Sequence, residues 1–251
     1  MRHPSLLLVG GLASLFLLAC GGTNSSTITQ GSSSGTSDPN PAPPLPVPMG
    51  TTSGVLSDKA TGAALAGVVV RALGSQSDTQ FGIPLTGAIL AEATTDAAGA
   101  YKLSGIPVER SYRVAAMPFT DAASYDLSAS MVMQFTDGRL IRVQNLEANS
   151  TDQVGSASMA IPSTSPWSIT LSAYHVVASA TGGQEGILAR RASGVAGATL
   201  TLDHLHAGDY VFQVRRTQML NGVESASETW FKGAITAGQT LSLDNRAEGI
   251  F

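Results

Sequence analysis

The sequence is short of cysteine, lysine and charge. Its 251 residues include one cysteine, Cys20, and three lysines, Lys59, Lys102 and Lys232, and only 13% of the chain is charged. A single cysteine excludes an internal disulfide framework. Fourteen Lys and Arg against 18 Asp and Glu are scattered along the chain and leave a formal net charge of -4. Nucleic-acid binding relies on a clustered basic surface that displaces counterions, so it is set aside. Aromatic residues make up 6%, with Trp167 and Trp230 the only tryptophans. No apolar run reaches the roughly 20 residues that a helix needs to cross a bilayer core. Paired carboxylates, a phosphate-binding loop and a metalloprotease helix are all missing, so no catalytic residue and no cofactor is expected. What the chain does have, 43% hydrophobic residues over this length, suffices for one or two packed domains.

The first twenty residues have the parts of an export signal: Arg2 and His3, then an apolar run over 6–18. Thirteen residues interrupted by glycine are too few for a stable span, so 1–19 is expected to be a signal peptide. Leu17, Leu18, Ala19 and Cys20 resemble the lipobox of bacterial lipoproteins. That resemblance implies cleavage between Ala19 and Cys20, a thioether-linked diacylglycerol on Cys20 and a further acyl chain such as palmitate on the new amino terminus. The membrane is then a partner through Cys20. Each buried methylene contributes about 0.8 kcal/mol, so two or three chains make release negligible. Gly21 follows where aspartate would mark inner-membrane retention, and by resemblance to enterobacterial sorting this favours the outer membrane.

Residues 20–50 are expected to be a lipidated cysteine followed by a disordered linker. Of the 30 residues after Cys20, 21 are Gly, Ser, Thr or Pro and Asp38 is the only charge, too little apolar surface to offset the entropy of ordering. The Ser/Thr/Gly part predicts a flexible coil of roughly 25 Å and the prolines of 39–48 an extended spacer of about 30 Å.

From Thr51 the pattern becomes short alternating or β-branched runs separated by Gly, Asp and Asn, which predicts an all-β chain of two β-sandwich domains, 51–161 and 162–251. Strands are expected in the first at 53–57, 67–73, 89–95, 100–103, 112–117, 131–136 and 139–145. The last two are predicted to form a hairpin around Asp137-Gly138, since Asp-Gly suits a type I′ turn. The second should have strands at 168–178, 187–191, 199–202, 210–217, 225–231 and 240–243.

Gly54-Val55, Asp58, Thr61-Gly62, Leu65-Ala66-Gly67-Val68-Val69-Val70, the run from Thr94 to Leu103, Ile106-Pro107 and Tyr112-Arg113-Val114 resemble the carboxypeptidase regulatory-like domain. That family has a transthyretin-like β-sandwich, and no peptidase domain accompanies it here. An insertion-like stretch at 76–87 and Glu109-Arg110 depart from the family pattern. In the second domain, Leu205, the run from Ala207 to Val214 and the run from Ala237 to Asp244 are similar to closing strands of the same family. A fibronectin type III reading is equally open there, because Leu205 before a turn and a strand opening on Tyr210 resemble a tyrosine corner, followed by Asn221-Gly222.

Gly31, Ser33 and Gly35 match the G-x-S-x-G string of serine hydrolases, but they lie in the low-complexity linker and are read as chance. His204 and His206, two apart, would share one face of a strand and could bind a metal with Asp203 or Asp209; without a clear third ligand a polar turn is the preferred reading. His175 is read as a strand residue. An isopeptide bond would require a buried lysine, which the turn position of Lys59 argues against. Trp167 and Trp230 are expected to anchor the core; if exposed, either could stack on sugar rings. The chain is therefore expected to be a non-catalytic envelope lipoprotein with structural or protein-binding sandwiches, its partner an unknown envelope protein or glycan. The alternative is a surface carbohydrate-binding lipoprotein using Trp167 or Trp230.

Overall fold

Most of the alternating runs become strands. In the computed structural model, residues 47–75, 78–120, 123–135, 140–180 and 182–244 are described, and no α-helix occurs among them. In chain order the strands are β1 (Met49–Asp58), β2 (Val69–Gly74), β3 (Asp78–Gln80), β4 (Ile83–Leu85), β5 (Ile89–Thr94), β6 (Ala100–Pro107), β7 (Tyr112–Ala116), β8 (Ser124–Tyr125), β9 (Ser128–Ala129) and β10 (Ile141–Val143). They continue with β11 (Leu146–Ala148), β12 (Ser150–Thr151), β13 (Val154–Ala160), β14 (Ser168–Ala178), β15 (Gln184–Gly194), β16 (Thr199–His206), β17 (Gly208–Leu220), β18 (Val223–Ile235) and β19 (Thr240–Ser242). The described residues belong to one compact unit, Pro46–Phe251. The lipidation and cleavage positions Ala19 and Cys20, residues 20–46 of the linker and the Gly31-Ser33-Gly35 string lie outside the described residues, whereas Met49 and Gly50 at the end of the expected linker already belong to β1.

Side-chain carboxylates close two of the turns. Asp58 accepts the amides of Ala60 and Thr61 at 2.8 and 2.9 Å, and these bonds hold its carboxyl below the usual aspartate range. Asp96 accepts the amides of Ala98 and Ala100, both at 2.9 Å. Gly99, inside that second turn, has φ +72 and would place a Cβ 2.5 Å from the Leu56 carbonyl oxygen, so both the backbone angle and the close approach demand glycine. The Asn221-Gly222 turn has positive φ at both residues, 51 and 79, as a type I′ turn requires. It leaves β17 and β18 paired in unbroken register from Leu220↔Val223 to Gly208↔Ile235.

The strands assemble into four principal layers. One sheet holds β1 between antiparallel β6 and the successive parallel strands β10 and β11. It packs on the antiparallel sheet β5-β2-β7-β9, enclosing a core that includes Leu56, Val70, Leu103, Ile106, Tyr112 and Val114. A six-stranded sheet, β18-β17-β14-β15-β4-β3, packs on β16-β13-β19 around Ile169, Leu171, Leu202, Phe212 and Val214. A third cluster, including Leu73, Ala115, Tyr174, Ile187 and Val211, joins the backs of the two middle sheets. Strand β7 is consequently buried at every position, and Val211 between Tyr210 and Phe212 faces the junction while its neighbours face the second core.

Three features differ from the sequence expectation. The 76–87 stretch supplies the β3–β4 hairpin, which extends the six-stranded sheet through the parallel pair β4–β15. Strand β13, which lies within the 51–161 range assigned to the first domain and where no strand was expected, pairs with β16 and β19 in the second sandwich. The hairpin predicted at Asp137-Gly138 does not form across its described flanks. Met133 bridges to Tyr112, whereas Ile141–Val143 pairs with Thr51–Ser53 of β1; the turn itself lies outside the described residues. The two flanks therefore join facing sheets, with Phe135 buried against Tyr112 on one of them.

Candidate functional site

Two concave regions lie where the sandwiches meet. A cleft of about 680 Å³ is lined by Leu127, Met131, Val132 and Ile187, with the Arg113–Glu185 pair at its side. Arg113 reaches Glu185 through both terminal nitrogens, at 3.0 and 2.7 Å, a bidentate fork that ties β7 to β15.

The second is a groove of about 580 Å³ between the exposed part of the six-stranded sheet and the segment from Leu85 to Ile89. Register builds its floor. Trp230 of β18 lies opposite Gln213 of β17, Gln213 opposite Ser172 of β14, and Ser172 opposite Arg191 of β15. The neighbouring row is Glu228, Arg215, Thr170 and Ser193. Trp230 is half-buried and its ring sits 5.8 Å from that of Tyr174, tilted by 43°. The Tyr174 hydroxyl approaches Gln213 Oε1 at 3.5 Å, and Arg191 Nε donates to Ser172 Oγ at 3.1 Å. Burial raises the Tyr174 phenol above its ordinary value, so it stays a neutral donor.

Trp167 lies elsewhere. It packs against the second core, on the opposite face of the six-stranded sheet from Trp230, with the Arg216 guanidinium 5.5 Å from its ring centre. The two tryptophans therefore cannot form one platform.

The histidines gather at another point of the junction, though not as a metal site. A bulge opposite Gly155–Ala157 puts His204 at φ +54, which breaks the alternation that would have aligned it with His206. His204 stacks on Phe119 at 4.5 Å and its Nδ1 lies 2.8 Å from Ser124 Oγ, whereas His206 Nε2 is 3.2 Å from Asp126. Among the described residues no group of three or more His, Cys, Asp or Glu side chains could hold a metal. His175 stacks on Tyr210 at 4.8 Å; burial, then repulsion from His206, lowers its pKa to about 4. Tyr210 Oη donates to the His206 carbonyl at 2.9 Å, tying β17 to the end of β16. Arg190 lies over Phe119, 4.6 Å away, and burial lowers its pKa to about 10. Lys59, Lys102 and Lys232 are all exposed, so the burial that an isopeptide bond needs is not met.

Sequence reasoning named Trp230 but missed Gln213, Arg191, Glu228 and Tyr174 beside it. One signal was available: counting outward from a two-residue turn at Asn221-Gly222 sets Trp230 opposite Gln213. Nothing comparable marks Ser124, Asp126 or Phe119, which reach the histidines only through tertiary packing.

No family model matches the chain, and no curated protein matches it. Among solved structures, similarity is found to a streptococcal ancillary pilin at 12% identity and TM-score 0.31, covering 78% of this chain and 61% of that one. The shaft pilin SpaA of Lactobacillus rhamnosus GG aligns at 9% identity and TM-score 0.28, covering 76% of this chain and 95% of the pilin. A 9R-lipoxygenase from Cyanothece PCC8801 aligns at 12% identity and TM-score 0.28 over 45% of this chain and 18% of its own length. Among the described residues no helix is long and apolar enough to cross a membrane.

Proposed function

We propose that the chain is a lipid-anchored protein of the bacterial envelope whose stacked β-sandwiches serve as a non-catalytic structural or protein-binding module. The observation that carries the reading is the order of sequence features: a short apolar leader, Leu17-Leu18-Ala19-Cys20, then a linker rich in Gly, Ser, Thr and Pro before the first strand. Lipidation at Cys20 fixes one end to the outer membrane, and the linker holds the sandwiches clear of the lipid surface. The first sandwich is read as carboxypeptidase regulatory-like, an accessory module without peptidase chemistry. A stack of sheets cored between each pair supports a spacer or scaffold role, because the two sandwiches share a buried cluster that includes Leu73, Tyr174 and Val211.

Detergent partitioning and protease shaving of intact cells test the reading, using the wild type and Cys20→Ser. The wild type is expected in the detergent phase and the variant in the aqueous phase. A wild-type protein that partitions into the aqueous phase would overturn the anchor. Shaving from whole cells assigns the domains to the outside, and protection until lysis assigns them to the periplasmic face.

A further inference from the structure

We propose that the groove floored by Trp230, Gln213 and Arg191 is a binding site for a neutral oligosaccharide. A sugar ring presents a flat patch of C–H groups on one face and hydroxyls, each donor and acceptor, around its rim. A site for it needs an aromatic surface, planar polar side chains beside that surface and little net charge. The groove combines all three. Trp230 and Tyr174 give an amphipathic aromatic wall, Gln213 and Arg191 lie in the same cross-strand row, and Glu228 with Arg215 forms the next. At about 580 Å³ the groove is in the range of a small-ligand cleft.

The lining also argues against other occupants. Asp78, Glu224 and Glu228 face Arg191 and Arg215, so the charges nearly cancel, and Arg215 already contacts Glu224 at 3.4 Å. A phosphate or sulfate ligand would meet more carboxylates than guanidiniums. Main-chain pairing with a peptide strand is closed to the floor strands β17, β14 and β15, which are each paired on both sides, and open only at the outer strand β18. An apolar ligand would desolvate the charged rows without pairing them. The site is independent of the membrane anchor and does not depend on lipidation at Cys20.

The test uses the full chain purified in a detergent without a sugar headgroup. Trp167→Phe leaves Trp230 as the only tryptophan reporter. Cellohexaose, chitohexaose, maltohexaose and mannohexaose are titrated while tryptophan emission is followed. The expected result is a saturable change with at least one of them, at a midpoint of about 1 mM, weakened about tenfold or more by Gln213→Ala and by Glu228→Ala. Thermal melts of these two variants, both changed on the outer sheet face, separate lost binding from lost folding. No saturable change with any of the four sugars overturns the proposal. So does a response that Gln213→Ala and Glu228→Ala leave unchanged in folded protein.

Discussion

The two sandwiches reach the same architecture by opposite routes. In the second, β17 and β18 are thirteen-residue strands joined by a two-residue turn, and β14 pairs with β15 and β17 over long registers. In the first, β1 takes its partners from far along the chain: Val55 meets Ala100 and Thr51 meets Ile141. Several strands there are only two or three residues long. Local hairpins confer register through turn geometry, whereas non-local pairings must pay loop-closure entropy before any contact forms. The first sandwich therefore depends more on its core and on the junction with its neighbour.

That contrast can be broken at its strongest point. Phe212 is fully buried in the second core and stacks on both Tyr210 and Phe231. Phe212→Ala should lower unfolding free energy by about 3–5 kcal/mol in urea titration. A loss below about 1 kcal/mol would mean that the hairpin and not the core holds this sandwich.

Leu73→Ala asks whether the two sandwiches are one cooperative body. Leu73 lies in β2 but packs into the junction cluster with Val211 and Ile187. The expected cost is about 2–5 kcal/mol, with hydrogen-exchange protection falling in β7 and β17 together. Loss confined to β2 and β7 would show two independently unfolding halves.

Gly99→Ala asks whether a turn also matters in the first sandwich. At φ +72, with the new Cβ 2.5 Å from the Leu56 oxygen, about 1–3 kcal/mol of destabilisation is expected by thermal melt. An unchanged melting temperature would remove the turn from the account of the first sandwich.

A pH dependence is expected at the histidine junction. His175 titrates near 6.5 when unfolded and at about 4 when folded, because burial and His206 oppose its charge while Asp126 and Asp209 favour it. Between these values the unfolded chain binds more protons, so stability falls as pH drops from about 6.5 to about 4 and is fully present above that window. His175→Phe should flatten this part of the stability curve relative to wild type. Parallel curves would place the titrating group elsewhere.

How much of this was legible follows the same division. Strand β14 lies where alternation put it, 168–178, and 210–217 and 225–231 were the centres of longer strands, since each shows its period within one run. The 131–136 stretch misled because its inward residues, Met133 and Phe135, join Tyr112 of β7 and not the 139–145 segment. Trp230 drew notice as a rare residue, but its neighbours in the groove are ordinary polar residues on other strands. The shared strand face considered for His204 and His206 is broken by a bulge, which simple spacing does not reveal.

The sequence by itself determined that the chain is β-rich, where the long strands of its second half run, and which turns require Asp, Asn or Gly. These are properties of a few consecutive residues, fixed by backbone sterics and side-chain period. Tertiary structure alone decided that 76–87 joins the second sandwich, that β13 pairs across the expected boundary, and that Gln213, Arg191 and Glu228 surround Trp230. Each of those depends on which surfaces most favourably leave water together, a choice made among segments far apart in the chain.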